Sequence, residues 1–187
     1  MQLQTWQDYL EFTRTTAVYP KDNELGYLMF GIIDELEEFK EKVEESDSEG
    51  YNIKEFVDEL GDVCWYTARL TDHFEMYDLG DDNNFFNKAN ISDNYLFVIT
   101  KGNIVSVAND IVKSYSKMAG YLKKYIRDGN DKKVELAKEE LLVIISLLSD
   151  LSTIAGGYSL KNVCTLNMEK LSDRKDRNVI KGDGDNR

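Results

Sequence analysis

The sequence predicts an all-α protein with a four-helix-bundle-like core of antiparallel helices, and three observations carry that reading. Pro20 is the only proline among 187 residues, and proline is the residue that helix interiors tolerate least. Leu, Glu, Lys and Ile dominate long stretches with few turn residues. Apolar side chains recur at spacings of three and four, the period of a helix with one buried face.

Leu3, Trp6, Tyr9, Leu10 and Thr13 mark a first short helix that ends before Tyr19 and Pro20. A second runs over 24–45 with Leu25, Leu28, Met29, Ile32, Ile33, Leu36 and Phe39 as its apolar stripe, and the Ser46 to Gly50 run breaks it. A third covers 53 to about 76, turning Phe56, Leu60, Val63, Cys64, Thr67 and Leu70 inward. Glu59, Asp62, Tyr66, Arg69 and His73 fall on its neighbouring face. Residues 77–95, rich in Asp, Asn and Gly, read as a connecting loop, and 96–100 as a short apolar piece, helical or extended. Further helices are expected over 103–127, 132–155 and 160–174, followed by a Gly/Asp tail.

The expected organisation is one domain over 1–187. Its 1–76 half carries an acidic site, 77–101 connects, and 102–187 is a degenerate repeat with a basic tail. The order helix, Gly/Asp turn, helix in 24–76 returns in 103–155. Ser114 and Lys117 stand where Glu35 and Glu38 stand in the first unit, and Val143 where Asp62 stands. If the halves are homologous, one kept a site and the other became scaffold.

A net charge of −12 argues against nucleic acid as the main partner, since phosphate backbones need a basic footprint. Cys64 and Cys164, both in apolar helical contexts, read as buried free thiols in a reducing compartment. The start MQLQTWQDYLEF lacks the basic-then-apolar pattern of a signal peptide, and no apolar run reaches the ~18 residues of a membrane span. A cytoplasmic protein with no membrane partner is the expectation.

Chemistry concentrates in two pairs of carboxylates, Glu35 with Glu38 and Glu59 with Asp62. Residues three apart share a helix face, so if the two helices pack, four acids converge. Two carboxylates ~4 Å apart repel by roughly 4 kcal/mol at an effective dielectric near 20, and a cluster of them must protonate, splay or take up a hard cation such as Mg²⁺. Asp62 lies between Leu60 and Val63-Cys64-Trp65, where a solvent-facing charge is least expected. The lone His73 leaves no paired E-x-x-H unit, no His/Cys zinc set and no Ser-His-Asp arrangement, and there is no P-loop. Near the C-terminus Asn167, Lys170 and Arg174 follow one another at helical spacing, ready to neutralise phosphate oxygens.

GIIDELEEF, followed by ELGDVCWY, resembles the E-x-x-E and E-x-x-D pair of the all-α nucleoside triphosphate pyrophosphohydrolases, the MazG-like and dimeric dUTPase group. The ending from Asn167, N-x-x-KL-x-x-R-x-x-RN-x-I-x-GDGDNR, is similar to the C-terminus of phage-type MazG-like proteins. The likeness covers 24–70 and 157–187, with 103–155 as a degenerate repeat. It implies that Glu35, Glu38, Glu59 and Asp62 ligate Mg²⁺, with Mn²⁺ as a substitute. It implies water attack on a nucleoside triphosphate, releasing monophosphate and pyrophosphate, with Glu38 as general base, although spacing does not separate it from Glu35. Tyr66, Asn167, Lys170, Arg174 and Arg177 are the expected substrate contacts, and a homodimer the expected assembly. Where the family usually has Gly-Glu-Ala-Gly-Glu, this chain has Asp34-Glu35-Leu36-Glu37-Glu38, which keeps both ligands and adds charge. The competing readings are a dUTP- or dCTP-selective enzyme of the same group and an inactive helical binding or assembly module.

Overall fold

The computed structural model describes residues 3–45, 53–77, 79, 86–87 and 101–180. Among them are six α-helices and no strand: α1 (Trp6–Arg14), α2 (Glu24–Glu45), α3 (Ile53–His73), α4 (Lys101–Asp128), α5 (Lys132–Gly156) and α6 (Leu160–Asp176). The fold is all-α, as the periodicity predicts. The expected piece at 96–100 and the GDGDNR ending lie outside the described residues.

Local chemistry sets the helix ends. At α1, Thr5 accepts from the Asp8 amide while Asp8 accepts from the Thr5 amide at 2.8 Å, a reciprocal cap. Ser159 and Asn162 repeat the device at the start of α6. Gly157, at φ 71°, closes α5 in the left-handed conformation that a helix C-terminus favours in glycine. α4 opens two residues earlier than expected, at Lys101, and two other ends differ for a visible reason. The third helix stops at His73, because Glu75 adopts φ 55° and the Met76 amide reaches back to the Thr71 carbonyl. The last helix runs on to Asp176, where Asn178 at φ 60° and the Val179 amide on the Arg174 carbonyl make the same closure.

Two helix pairs make the frame, α2 along α3 and α4 along α5, and α3 also touches α1, α5 and α6. That central position gives α3 a fully buried run, with Leu60, Val63, Cys64, Ala68 and Leu70 at 0 % exposure. From α2, Leu28, Ile32, Leu36, Phe39 and Val43 enter the same core. Ile33 does not: it is 55 % exposed, beside Phe30 at 74 %. It lies one residue past Ile32, and a 100° step carries it off the buried face. Both cysteines are buried and free. Phe86 is buried edge-on against Trp6 of α1, and its carbonyl accepts from the Lys161 amide at the start of α6. No single helix among the described residues is long and apolar enough to cross a membrane.

Candidate metal centre

The α2–α3 pair runs as an antiparallel ladder whose rungs can be read from contacts. Glu24 meets Arg69 and His73 at one end. Tyr27 meets Tyr66 in the middle, ring centroids 5.8 Å apart. Further along, short of the Phe39–Phe56 ring contact, oxygens of Glu35, Glu38 and Glu59 all lie within 4.8 Å of one another. Two glycines permit the close approaches. A methyl group on Gly31 would lie 2.2 Å from the Tyr66 ring, so that ring rests on bare α2 backbone. A methyl on Gly61 would lie 2.9 Å from Cβ of Asn167, so α6 sits close on α3.

Three of the four expected acids therefore converge, and the fourth, Asp62, stands beside them with both oxygens held by α6. Asp62 Oδ2 accepts from the Lys170 ammonium at 2.6 Å, and Oδ1 accepts from the Asn167 amide at 2.8 Å. Lys170 also donates to the Asp58 carbonyl at 3.3 Å, and Asn167 accepts from the buried Tyr9 hydroxyl at 2.8 Å. Asp62 still acts on the cluster through space. Burial first, then the charges of Asp62, Glu38 and Glu59, push Glu35 up to about 9, with the Lys170 ammonium pulling the other way. At the cluster's separation two ionised carboxylates repel by roughly 3 to 4 kcal/mol at an effective dielectric near 20. Glu59 is buried, Glu35 half-buried and Glu38 exposed, so the group opens to solvent on the Glu38 side. This all-oxygen donor set fits a hard divalent cation rather than zinc or copper.

The remaining expected residues are placed as follows. Tyr66 lies one turn from Asp62 and donates to the Tyr27 hydroxyl at 3.3 Å; burial, then that hydrogen bond, raises its phenol well above the ordinary value. Arg174 is buried, one turn beyond Lys170. Arg177 caps the end of α6 and pairs with Asp173 at 2.6 Å. At the other end of the ladder Arg14, Tyr19, Glu24, Arg69, Asp72 and His73 surround a cleft of about 420 Å³. His73 Nδ1 stands 2.8 Å from Glu24, and Asp72 takes both Arg14 and Arg69. Burial works to raise the Glu24 and Asp72 carboxyls, but hydrogen bonds from His73 and Tyr19 to the first, and from Arg14 and Arg69 to the second, outweigh it and hold both below their ordinary values.

The second helix pair carries different residues at the positions aligned with the acids. Lys117 pairs with Glu140 at 3.2 Å, and Glu140 lies three residues before Val143 as Glu59 lies three before Asp62. An ammonium stands where the first pair sets carboxylate against carboxylate. Val143 is 45 % exposed and Ser114 is buried.

Sequence reasoning missed Tyr9, Tyr27, Gly31, Gly61 and the Asp58 carbonyl. The glycines carried only a weak signal: a mid-helix glycine costs about 0.5 to 1 kcal/mol relative to alanine, but Gly120 inside α4 has nothing within 4 Å of an added methyl and marks no close approach. Comparison of the chain with protein-family models, with curated proteins and with solved structures gave no match.

Proposed function

We propose that the protein is a Mg²⁺-dependent nucleoside triphosphate pyrophosphohydrolase, converting a (deoxy)nucleoside triphosphate and water to monophosphate and pyrophosphate. The observation that carries the reading is the convergence of Glu35, Glu38 and Glu59 from two helices, a concentration of negative charge that a divalent cation relieves. Its likeness to the E-x-x-E and E-x-x-D pair of the MazG-like group supplies the reaction.

In this reading Glu35, Glu38 and Glu59 hold the cation, with Asp62 at their side. A cation held there would supply water activation and neutralisation of phosphate charge. Glu38, the most open of the three, is the residue from which a carboxylate reaches a water arriving from solvent, and it accepts that water's proton. Glu59 is buried, so it holds a fixed position and restrains the site. Lys170, with Asn167 one turn before it and Arg174 and Arg177 beyond, supplies positive charge for the phosphates. Tyr66, resting on Gly31, forms a wall of the site next to the acids. The proposed assembly is a homodimer, tested by sedimentation of the full chain.

The test is pyrophosphate release across the common and deoxy nucleoside triphosphates with Mg²⁺, comparing wild type with Glu38→Gln and Glu59→Gln. Activity should fall at least 100-fold in both variants, in the range expected for loss of an acid–base group or ligand, with helical circular dichroism unchanged. Persisting activity in both sinks the reading.

A further inference from the structure

The acid cluster holds three carboxylates rather than four because α6 has claimed the fourth. Both oxygens of Asp62 are taken, Oδ2 by Lys170 at 2.6 Å and Oδ1 by Asn167 at 2.8 Å. The two partners differ in kind. Asn167 is 3 % exposed, clamped by the Tyr9 hydroxyl and pressed on Gly61, so its amide has nowhere to go. Lys170 is a charge on a flexible four-carbon stem, its side chain 18 % exposed against 16 % for Asp62, at the rim where α6 meets the cluster. The second helix pair carries a comparable ion pair, with the Lys117 ammonium 3.2 Å from Glu140.

We propose that Lys170 is the resident counter-cation of the acid cluster: its ammonium sits on Asp62 in the metal-free protein and leaves when a divalent cation enters, which releases it to meet a substrate phosphate. The proposal rests on the metal reading above. It gives α6 a specific task. One positive charge is exchanged for another at Asp62, so the carboxylate is never left beside three acids without a cation, and the freed lysine appears only once the metal is in place. Asn167 holds Asp62 oriented throughout. Substrate phosphate, drawn to a freed ammonium, thereby follows the metal rather than preceding it.

Competition makes a prediction opposite to that of a supporting role. Removing the ammonium removes one like charge next to the incoming cation, so Lys170→Met should bind Mn²⁺ about five-fold or more tightly than wild type, while Lys170→Arg, which keeps the charge, should stay within about two-fold. The measurement is titration calorimetry of the full-length protein with Mn²⁺ alone. Equal or weaker Mn²⁺ binding by Lys170→Met, with wild-type binding intact, overturns the proposal. Absence of Mn²⁺ binding in every form overturns the metal reading and this proposal with it. A second measurement needs no variant: reductive methylation of wild-type Lys170, followed by mass spectrometry, should accelerate at least three-fold when Mn²⁺ is present. Unchanged labelling, in protein that binds Mn²⁺, again overturns the exchange.

Discussion

Glu35→Gln should make the metal-free protein more stable, and the size of the gain follows from the cluster. The ordinary carboxyl value is 4.5, and in the folded chain Glu35 is pushed up to about 9. At pH 7 the unfolded chain has released this proton and the folded chain retains it. Retention costs the fold about 1.4 kcal/mol per pH unit between 4.5 and 7, about 3 kcal/mol in all. The sign is that of a raised acid: the Glu35 contribution to wild-type stability is most favourable below pH 4.5, falls as pH rises, and levels off above about 9. Glutamine has the shape of the protonated carboxyl and does not titrate. Glu35→Gln should therefore melt roughly 6 to 12 °C higher than wild type at pH 7, at 2 to 4 °C per kcal/mol for a chain of this size. The gap should close toward pH 4.5 and widen toward pH 9. Circular dichroism melts in EDTA across pH 4.5 to 9 provide the assay. In Mg²⁺ at about 1,000 times its dissociation constant the order should reverse, because wild type then gains about 4 kcal/mol of binding free energy that the variant has lost. A metal-free variant that melts at or below wild type throughout this range refutes the claim that burial and the neighbouring acids disfavour the Glu35 carboxylate.

The other predictions concern the metal and the supports around it. Mg²⁺ at 100 times its dissociation constant should stabilise wild type by about 2.7 kcal/mol, seen as a rise in Tm, and Glu59→Gln should abolish most of that rise. Gly31→Ala places a methyl 2.2 Å from the Tyr66 ring; it should destabilise by about 1 to 3 kcal/mol in a denaturant titration and shift Tyr66 fluorescence. Tyr9→Phe leaves the buried Asn167 carbonyl without its donor and should cost about 1 to 3 kcal/mol, with weakened Mn²⁺ binding through a less restrained Asp62. At the far end of the ladder, Glu24 and Asp72 are held below their ordinary values. Their contribution is complete above about pH 4.5 and is lost as pH falls through the lowered values. Arg69→Met should accordingly destabilise at pH 7 and differ little from wild type near pH 2, in melts monitored at both.

The expected pairs Glu35/Glu38 and Glu59/Asp62 were legible because i,i+3 spacing is local, and helix period alone puts each pair on one face. So were α2 and α5, whose ends coincide with turn residues on either side. The end of α3 was misread because Glu75, not a glycine, takes the left-handed closing position. Ile33 was assigned inward because spacings of three and four admit neighbours of a stripe that only packing against α3 and α4 excludes.

The sequence by itself determined an all-α chain, its helix boundaries to within a few residues, and the four acids, because these depend on period, turn chemistry and residue type. Tertiary structure alone decided which acids meet. Asp62 is drawn to α6 rather than into the cluster because Lys170 and Asn167, more than 100 residues away in sequence, arrive where Gly61 lets the two helices close. A contact between distant segments depends on the backbone separation at their crossing, and no local pattern in the chain encodes it.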